Sequence, residues 1–188
     1  MNVTILGEGK IQETDLSTSI YKSVKPTLRW NRHFNEKTIQ DGIKKQTKFY
    51  YPMWIVKMLV IADRKPFPPK VRPNMVFIDA ITGYRGLFPN IPPTAQKKVP
   101  ASEIKEAVIS KEDLFARYVP DVQDKQINRN YVLKKPRYEI KETELVYLPL
   151  WDVELNTYFL TKSYYINGNT GESEELMREL AQSNTWKL

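Results

Sequence analysis

Histidine and cysteine, the side chains of most metal and nucleophilic sites, are almost absent from this chain. His33 is the only histidine in 188 residues and cysteine is absent. A His/Cys metal cluster, a Ser-His-Asp triad present in two copies, disulfides and thiol metal sites are therefore all excluded. A lone histidine is more often an ordinary surface or boundary side chain than a functional one. The nearest approach to a phosphate loop, residues 82–86 (T-G-Y-R-G), lacks the Walker or dinucleotide spacing. No metal and no cofactor are expected. Two kinds of chemistry are left. Asp79, at a predicted strand end beside Thr82, could exchange protons as a general acid or base, or cap its own turn. Lys57, Arg64, Lys65, Lys70, Arg72 and Arg85, interleaved with Phe67 and Tyr84, have the composition of a surface for single-stranded nucleic acid or an acidic membrane. A merely solvated basic face is the plainer alternative.

The elements that must hold these residues occur twice. Residues 43–57 and 140–154 align without a gap at an offset of 97 and share six identities: Ile43/Ile140, Lys44/Lys141, Tyr50/Tyr147, Pro52/Pro149, Trp54/Trp151 and Val56/Val153. A second shared phrase follows each copy, F-I-D-A-I-T-G at 77–83 and Y-I-N-G-N-T-G at 165–171. Tyr-x-Pro-x-Trp-x-Val alternates large apolar side chains, the period of a half-buried strand, and its proline implies an edge or a bend. The second strand should run into a turn where Asp79 or Asn167 bonds local backbone and Gly83 or Gly171 supplies a positive φ. Asn167 stands where Asp79 stands, and an amide cannot exchange a proton as a carboxylate does. The repeat thus favours a turn role for both, with Thr82 and Thr170 as turn partners. Tyr50, Trp54, Tyr147 and Trp151, present in both copies, read as core rather than as ligand-stacking rings.

Around these phrases the chain reads in order. Residues 1–12 predict a flexible arm or an edge strand. Residues 13–25 predict a short helix capped by Thr14 or Asp15 and stopped before Pro26. Its counterpart at 110–119 has Ser110 as cap and Pro120 as its end. Trp30 and Phe34, four apart, would meet on a helix, with a strand or loop as alternatives. Prolines make 65–74 a hairpin loop and 89–100 a linker. Residues 101–109 carry helical spacing after Ser102. Residues 121–139 are polar and partly loop. A short helix over 172–182 places Leu176, Met177 and Leu180 on one side. The expected fold is α+β in two tandem repeats, each a helix packed on a small antiparallel sheet. The first repeat is 1–92, the proline-rich linker 93–100 and the second repeat 101–188.

The net charge of +7 is uneven: residues 1–100 carry net +10 and residues 101–188 net −3. No apolar run approaches the roughly 18 residues of a membrane-spanning helix, and the first 25 residues lack the order of a secretory signal. The expected location is cytoplasmic, or envelope-associated if a leader has been removed.

The strand with its Trp-x-Val core, the hairpin, and then aromatic-Ile-Asp/Asn-x-x-Thr-Gly resemble the PepSY and PepSY-like domains of bacteria. The matching residues are Trp54, Val56, Phe77, Ile78, Asp79, Thr82 and Gly83, and again Trp151, Val153, Tyr165, Ile166, Asn167, Thr170 and Gly171. The likeness covers roughly residues 13–88 and 110–171. It implies a cystatin-like helix on an antiparallel sheet and a non-catalytic module that binds or restrains a protein or peptide partner. Proline-bearing edges could also pair with a second copy, giving a homo-oligomer. Nucleic-acid or anionic-surface binding through the basic first repeat, and an enzyme with a cleft between the repeats using Asp79, are the alternatives.

Overall fold

Strand-forming alternation begins at the second residue. In the computed structural model, which describes residues 1–90 and 93–188, β1 (Asn2–Leu6) is followed by α1 (Leu16–Ser23), α2 (Pro26–Arg29) and α3 (Glu36–Gly42). Next come β2 (Ile43–Arg64), β3 (Phe67–Asp79), β4 (Arg85–Phe88) and β5 (Thr94–Lys98). A helical run contains α4 (Lys111–Asp113) and α5 (Val119–Val122), and β6 (Arg137–Asn156), β7 (Thr161–Asn167) and α6 (Glu175–Leu180) complete the order. Among the described residues seven strands pair in the order β4-β3-β2-β6-β1-β5, with β7 on β6. The fold is α+β, and its sheet is mixed: β1 runs parallel to β6 at Ile5 and Tyr147 and antiparallel to β5.

Two compact units use these elements. The first comprises Met1–Tyr51, Pro93–Lys105 and Tyr147–Gln182, the second Pro52–Pro92, Glu106–Val146 and Ser183–Leu188. The stretches 1–92 and 101–188 therefore each contribute to both units. β2 leaves the first unit for the second at Tyr51 and Pro52, and β6 makes the reverse passage at Val146 and Tyr147.

In the first unit, Leu16 and Ile20, one helical turn apart on α1, meet Trp151, Val153 and Leu155, which alternate along β6, together with Ile166 of β7, Phe34 and Ile39. Leu16, Ile20 and Val153 are completely buried. Asn35 caps α3 by accepting the Thr38 N–H at 3.0 Å. Val3, Ile5, Tyr50 and Val99 form a smaller core. In the second unit, Leu114, Tyr118, Val119 and Val122 cover Val56, Met58, Val60, Val76 and Ile78. The helix written early in the chain thus covers the Trp151 strand, and the helix written late covers the Trp54 strand.

Several expectations are corrected. Residues 65–74 are not a loop: the turn is Lys65 and Pro66, and β3 begins at Phe67. The β4 ladder pairs only Met75 to Ile78 of β3, so Pro73 falls where β3 is paired by β2 alone, and Pro68 and Pro69 fall in the break of register between Ala62 and Arg64. Within the linker, residues 94–98 form β5, because β1 offers them five antiparallel partners. Ile91 and Pro92 of the proline-rich stretch lie outside the described residues. The N-terminal segment is an interior strand, not an arm or an edge, since β6 and β5 flank it. Pro120 does not close the helix. Two π-type stretches, Leu114–Tyr118 and Gln123–Ile127, widen the turn, and the Val119 N–H reaches the Leu114 carbonyl five residues back. Residues 101–109 hold a single 3-10 turn, Ala101–Glu103, and Ile104 then bridges Tyr50 as extended backbone. Trp30 and Phe34 do not pair: Trp30 is exposed, while Phe34 is buried against Tyr21. In α6, Leu180 is buried and Leu176 is exposed.

Candidate functional site

Register decides which side chains of the second unit share a face. Lys57, Leu59 and Ile61 stand opposite Met75, Pro73 and Val71, whereas Met58, Val60 and Ala62 stand opposite Asn74, Arg72 and Lys70. Met58 and Val60 lie in the helix-covered core, so the first set occupies the other face. A cleft of about 710 Å³ opens along this ladder, lined by Lys57, Leu59, Pro73, Met75 and Phe88 from that face, by Met58, Asn74 and Leu87 from the register of the helix-covered one, and by Pro89, Asn90 and Lys141. Phe88, paired with Met75, lies 4.8 Å from Phe77, ring centre to ring centre. Lys57 reaches Glu142 at 2.6 Å, and Lys141 pairs with Glu139. Apolar carbon with a few edge polar groups suits an apolar side chain or an extended segment carrying one.

The predicted basic residues do not form one patch. Arg85 is buried, with its Nε 2.7 Å from Asp121 Oδ2 and its Nη1 donating to the carbonyls of Gly83 at 2.7 Å and Trp186 at 2.9 Å. Burial alone would raise the Asp121 carboxyl, but hydrogen bonds from Lys125 and Arg85 outweigh it and hold the group below the ordinary range. Tyr84 packs edge-on against Trp186 at 5.1 Å. Lys57 belongs to the cleft. Lys70 and Arg72 project from the opposite face of β3. Arg64, Lys65 and Phe67 cluster at the turn, where Arg64 donates to the Pro68 carbonyl at 3.2 Å.

The two turn phrases behave alike. Asp79 Oδ1 accepts from the N–H groups of Ile81 at 2.9 Å and Thr82 at 3.0 Å, and Asn167 Oδ1 accepts from Asn169 at 2.9 Å. The hydroxyls of Thr82 and Thr170 accept from Tyr84 and Glu172, each at 3.2 Å. Gly83 and Gly171 have φ of 80° and 74°. Asp79 is buried, and its carboxylate serves its own turn. His33 is exposed, its backbone N–H and carbonyl bonded to Asn31 and Thr38. No group of three or more His, Cys, Asp or Glu suited to a metal ion occurs among the described residues.

Of the repeated rings, Tyr50 and Trp151 are buried, while Trp54 and Tyr147 are half-buried against their cores. In the first unit, burial and then the charge of Glu154 raise the Asp152 carboxyl, against the pull of Arg178, Lys45 and Lys105. Sequence reasoning missed Leu59, Met75, Phe88 and Lys141, because a cleft on a sheet face depends on register. It also missed Val132 and Leu133, which are 94% and 101% exposed. Two adjacent apolar residues set inside R-N-Y-V-L-K-K-P-R were a signal available for that pair.

The second unit thus presents a helix-covered sheet with an apolar cleft along β2, β3 and β4. Comparison with known protein families, with curated proteins and with solved structures finds no match to this chain. No helix of the described residues is long and apolar enough to cross a membrane.

Proposed function

We propose that this chain is a non-catalytic binding module, one PepSY-like scaffold used twice, whose binding face is the cleft on the β2–β3–β4 surface. Its partner is a protein or peptide that lays an extended, apolar segment across Leu59, Met75 and Phe88. The cleft of about 710 Å³ carries the reading. Its lining offers packing surface and two lysines already engaged with glutamates, and the buried Asp79 is bonded within its turn. The duplicated scaffold is supported by the matched bonds of the Asp79 and Asn167 turns.

The test is selection of short peptides on the intact chain, followed by titration against Leu59→Glu and Phe88→Glu variants of unchanged circular dichroism. Selected peptides should be rich in apolar residues and lose at least about tenfold in affinity, the scale of one apolar anchor placed against a charge. Peptides that bind both variants as they bind the parent would remove the cleft as the site.

A further inference from the structure

We propose that the end of the second unit bearing the β2–β3 turn docks on the surface of an anionic lipid bilayer. Two segments meet there. Asp63, at the end of β2, accepts from Lys134 at 2.8 Å and from Arg137 at 3.4 Å, which sets the 132–137 segment beside the hairpin turn. Both segments hold large apolar side chains in solvent: Phe67 is 69% exposed, Val71 52%, Val132 94% and Leu133 101%. A single exposed apolar residue is unremarkable, whereas four on two adjoining segments form a patch.

The surrounding charge selects the partner. Residues 63–72 and 128–137 together contain eight Lys or Arg and one acid, Asp63. Among the described residues Lys65, Lys70 and Arg72 form no ion pair, so their charge is available to an incoming anion. Exposed apolar tips on segments that also carry cations, with Lys70 and Arg72 flanking Val71 on the other face of β3, match a bilayer interface, where side chains enter the acyl boundary and lysines meet lipid phosphates. Single-stranded nucleic acid fits less well, because it stacks on a series of ring faces. Phe67 is the one exposed ring here, and Tyr131 and Tyr138 pack against the core. A protein partner is disfavoured too, since lysine is depleted from protein interfaces. This surface is separate from the cleft proposed above and stands without it.

The experiment is co-sedimentation of the intact chain with vesicles of phosphatidylcholine alone and of phosphatidylcholine mixed with phosphatidylglycerol, over a sodium chloride series. A single-stranded oligothymidylate serves as competitor. Binding should need phosphatidylglycerol, weaken with salt, and fall about fivefold for each cation removed in Lys70→Gln and Arg72→Gln. Phe67→Ser with Leu133→Ser should lower it roughly tenfold or more, as loss of two inserted side chains requires. All four positions are solvent-exposed, so an unchanged melting temperature accompanies each variant. Absence of vesicle binding, equal binding to phosphatidylcholine alone, binding indifferent to both sets of variants, or oligothymidylate binding without vesicle binding would each overturn the proposal.

Discussion

The indole nitrogen of Trp54 donates to the carbonyl of Ile109 at 2.8 Å. In the other unit Trp151 does the same to Ile11 at 3.2 Å. The bonds behind them match as well. Ile109 N–H donates to the Ala80 carbonyl and Ala80 N–H to that of Pro52, while Ile11 donates to Gly168 and Gly168 to Pro149. Each indole therefore ties a Tyr-x-Pro-x-Trp strand to the segment that leads into the covering helix. Trp54→Phe and Trp151→Phe leave a smaller aromatic ring and a carbonyl without its donor, which should cost about 1–2 kcal/mol each for the bond, with the lost volume added. Urea denaturation checks this; an unchanged midpoint in either variant would show that the bond is dispensable.

Because Leu16 and Ile20 rest on the Trp151 strand, and Leu114 and Val122 on the Trp54 strand, neither half of the chain contains a complete unit. Fragments 1–92 and 93–188 should each lack cooperative thermal unfolding when made alone. Mixed or co-expressed, they should recover the near-ultraviolet circular dichroism of the intact chain. A fragment that melts cooperatively by itself would contradict the interleaved arrangement.

Arg85 and Asp121 form an ion pair whose side chains are only 5% and 16% exposed. Arg85→Met removes one of the two cations on Asp121, which keeps Lys125 at 2.6 Å, so the loss should be about 1.5–3 kcal/mol, the scale of one charged hydrogen bond. The folded Asp121 carboxyl lies below its unfolded value, so its contribution is complete above the unfolded pKa and disappears as pH falls through the folded one. Parent stability should drop on acidification below about pH 5. Asp121→Asn should start lower at neutral pH and fall less steeply. Denaturation midpoints along a pH series measure both slopes, and parallel slopes would exclude the pair as a source of acid sensitivity.

Much of this was legible from short stretches. The alternation at residues 50–56 and 147–153, the Asp79 and Asn167 turns and the Ser110 cap are local patterns, and Ser110 does accept the Asp113 N–H at 3.1 Å. The pairing of helix with sheet was not legible. Asp15-Leu16 and Asp113-Leu114 are alike, and either helix has an apolar stripe that suits either strand pair. Nor was the fate of the basic residues. Lys57 on a strand and Lys70 and Arg72 in its loop could share one surface, but β3 extends through both and sends them to the opposite face. Arg85 is internal because Asp121, 36 residues further on, meets it. β5 escaped notice because its ladder partner is at the other end of the first hundred residues. Pro120 misled because the rule against proline assumes bonds four residues back.

The glycines of the two turns should differ in tolerance. Both need φ near +75°, which strains any residue with a Cβ. At Gly83 the added carbon would also meet Tyr118 Cε1 at 2.7 Å and the Trp186 carbonyl oxygen at 2.8 Å. At Gly171 it would meet Ser19 Oγ at 2.8 Å, a hydroxyl that can rotate away. Gly171→Ala should cost about 1–2 kcal/mol, the strain alone, and Gly83→Ala more, with weaker docking of the C-terminal segment. Denaturation of both variants and the fluorescence of Trp186 in the second check this; equal losses would mean that the C-terminal segment yields freely.

Asp152 should answer to pH in the sense opposite to Asp121. Burial and Glu154 raise its folded pKa above the unfolded one, so the folded state takes up the proton more readily and gains stability as pH falls toward the unfolded value. At neutral pH the ionised carboxylate is a cost that Lys45, Lys105 and Arg178 offset only in part. Asp152→Asn removes that cost. The variant should melt slightly above the parent at pH 7, and the gap should close as the parent carboxyl protonates toward about pH 4. Melting curves of both proteins across that range decide the matter. A variant that melts below the parent at neutral pH would mean that the three cations, and not burial, govern this carboxylate.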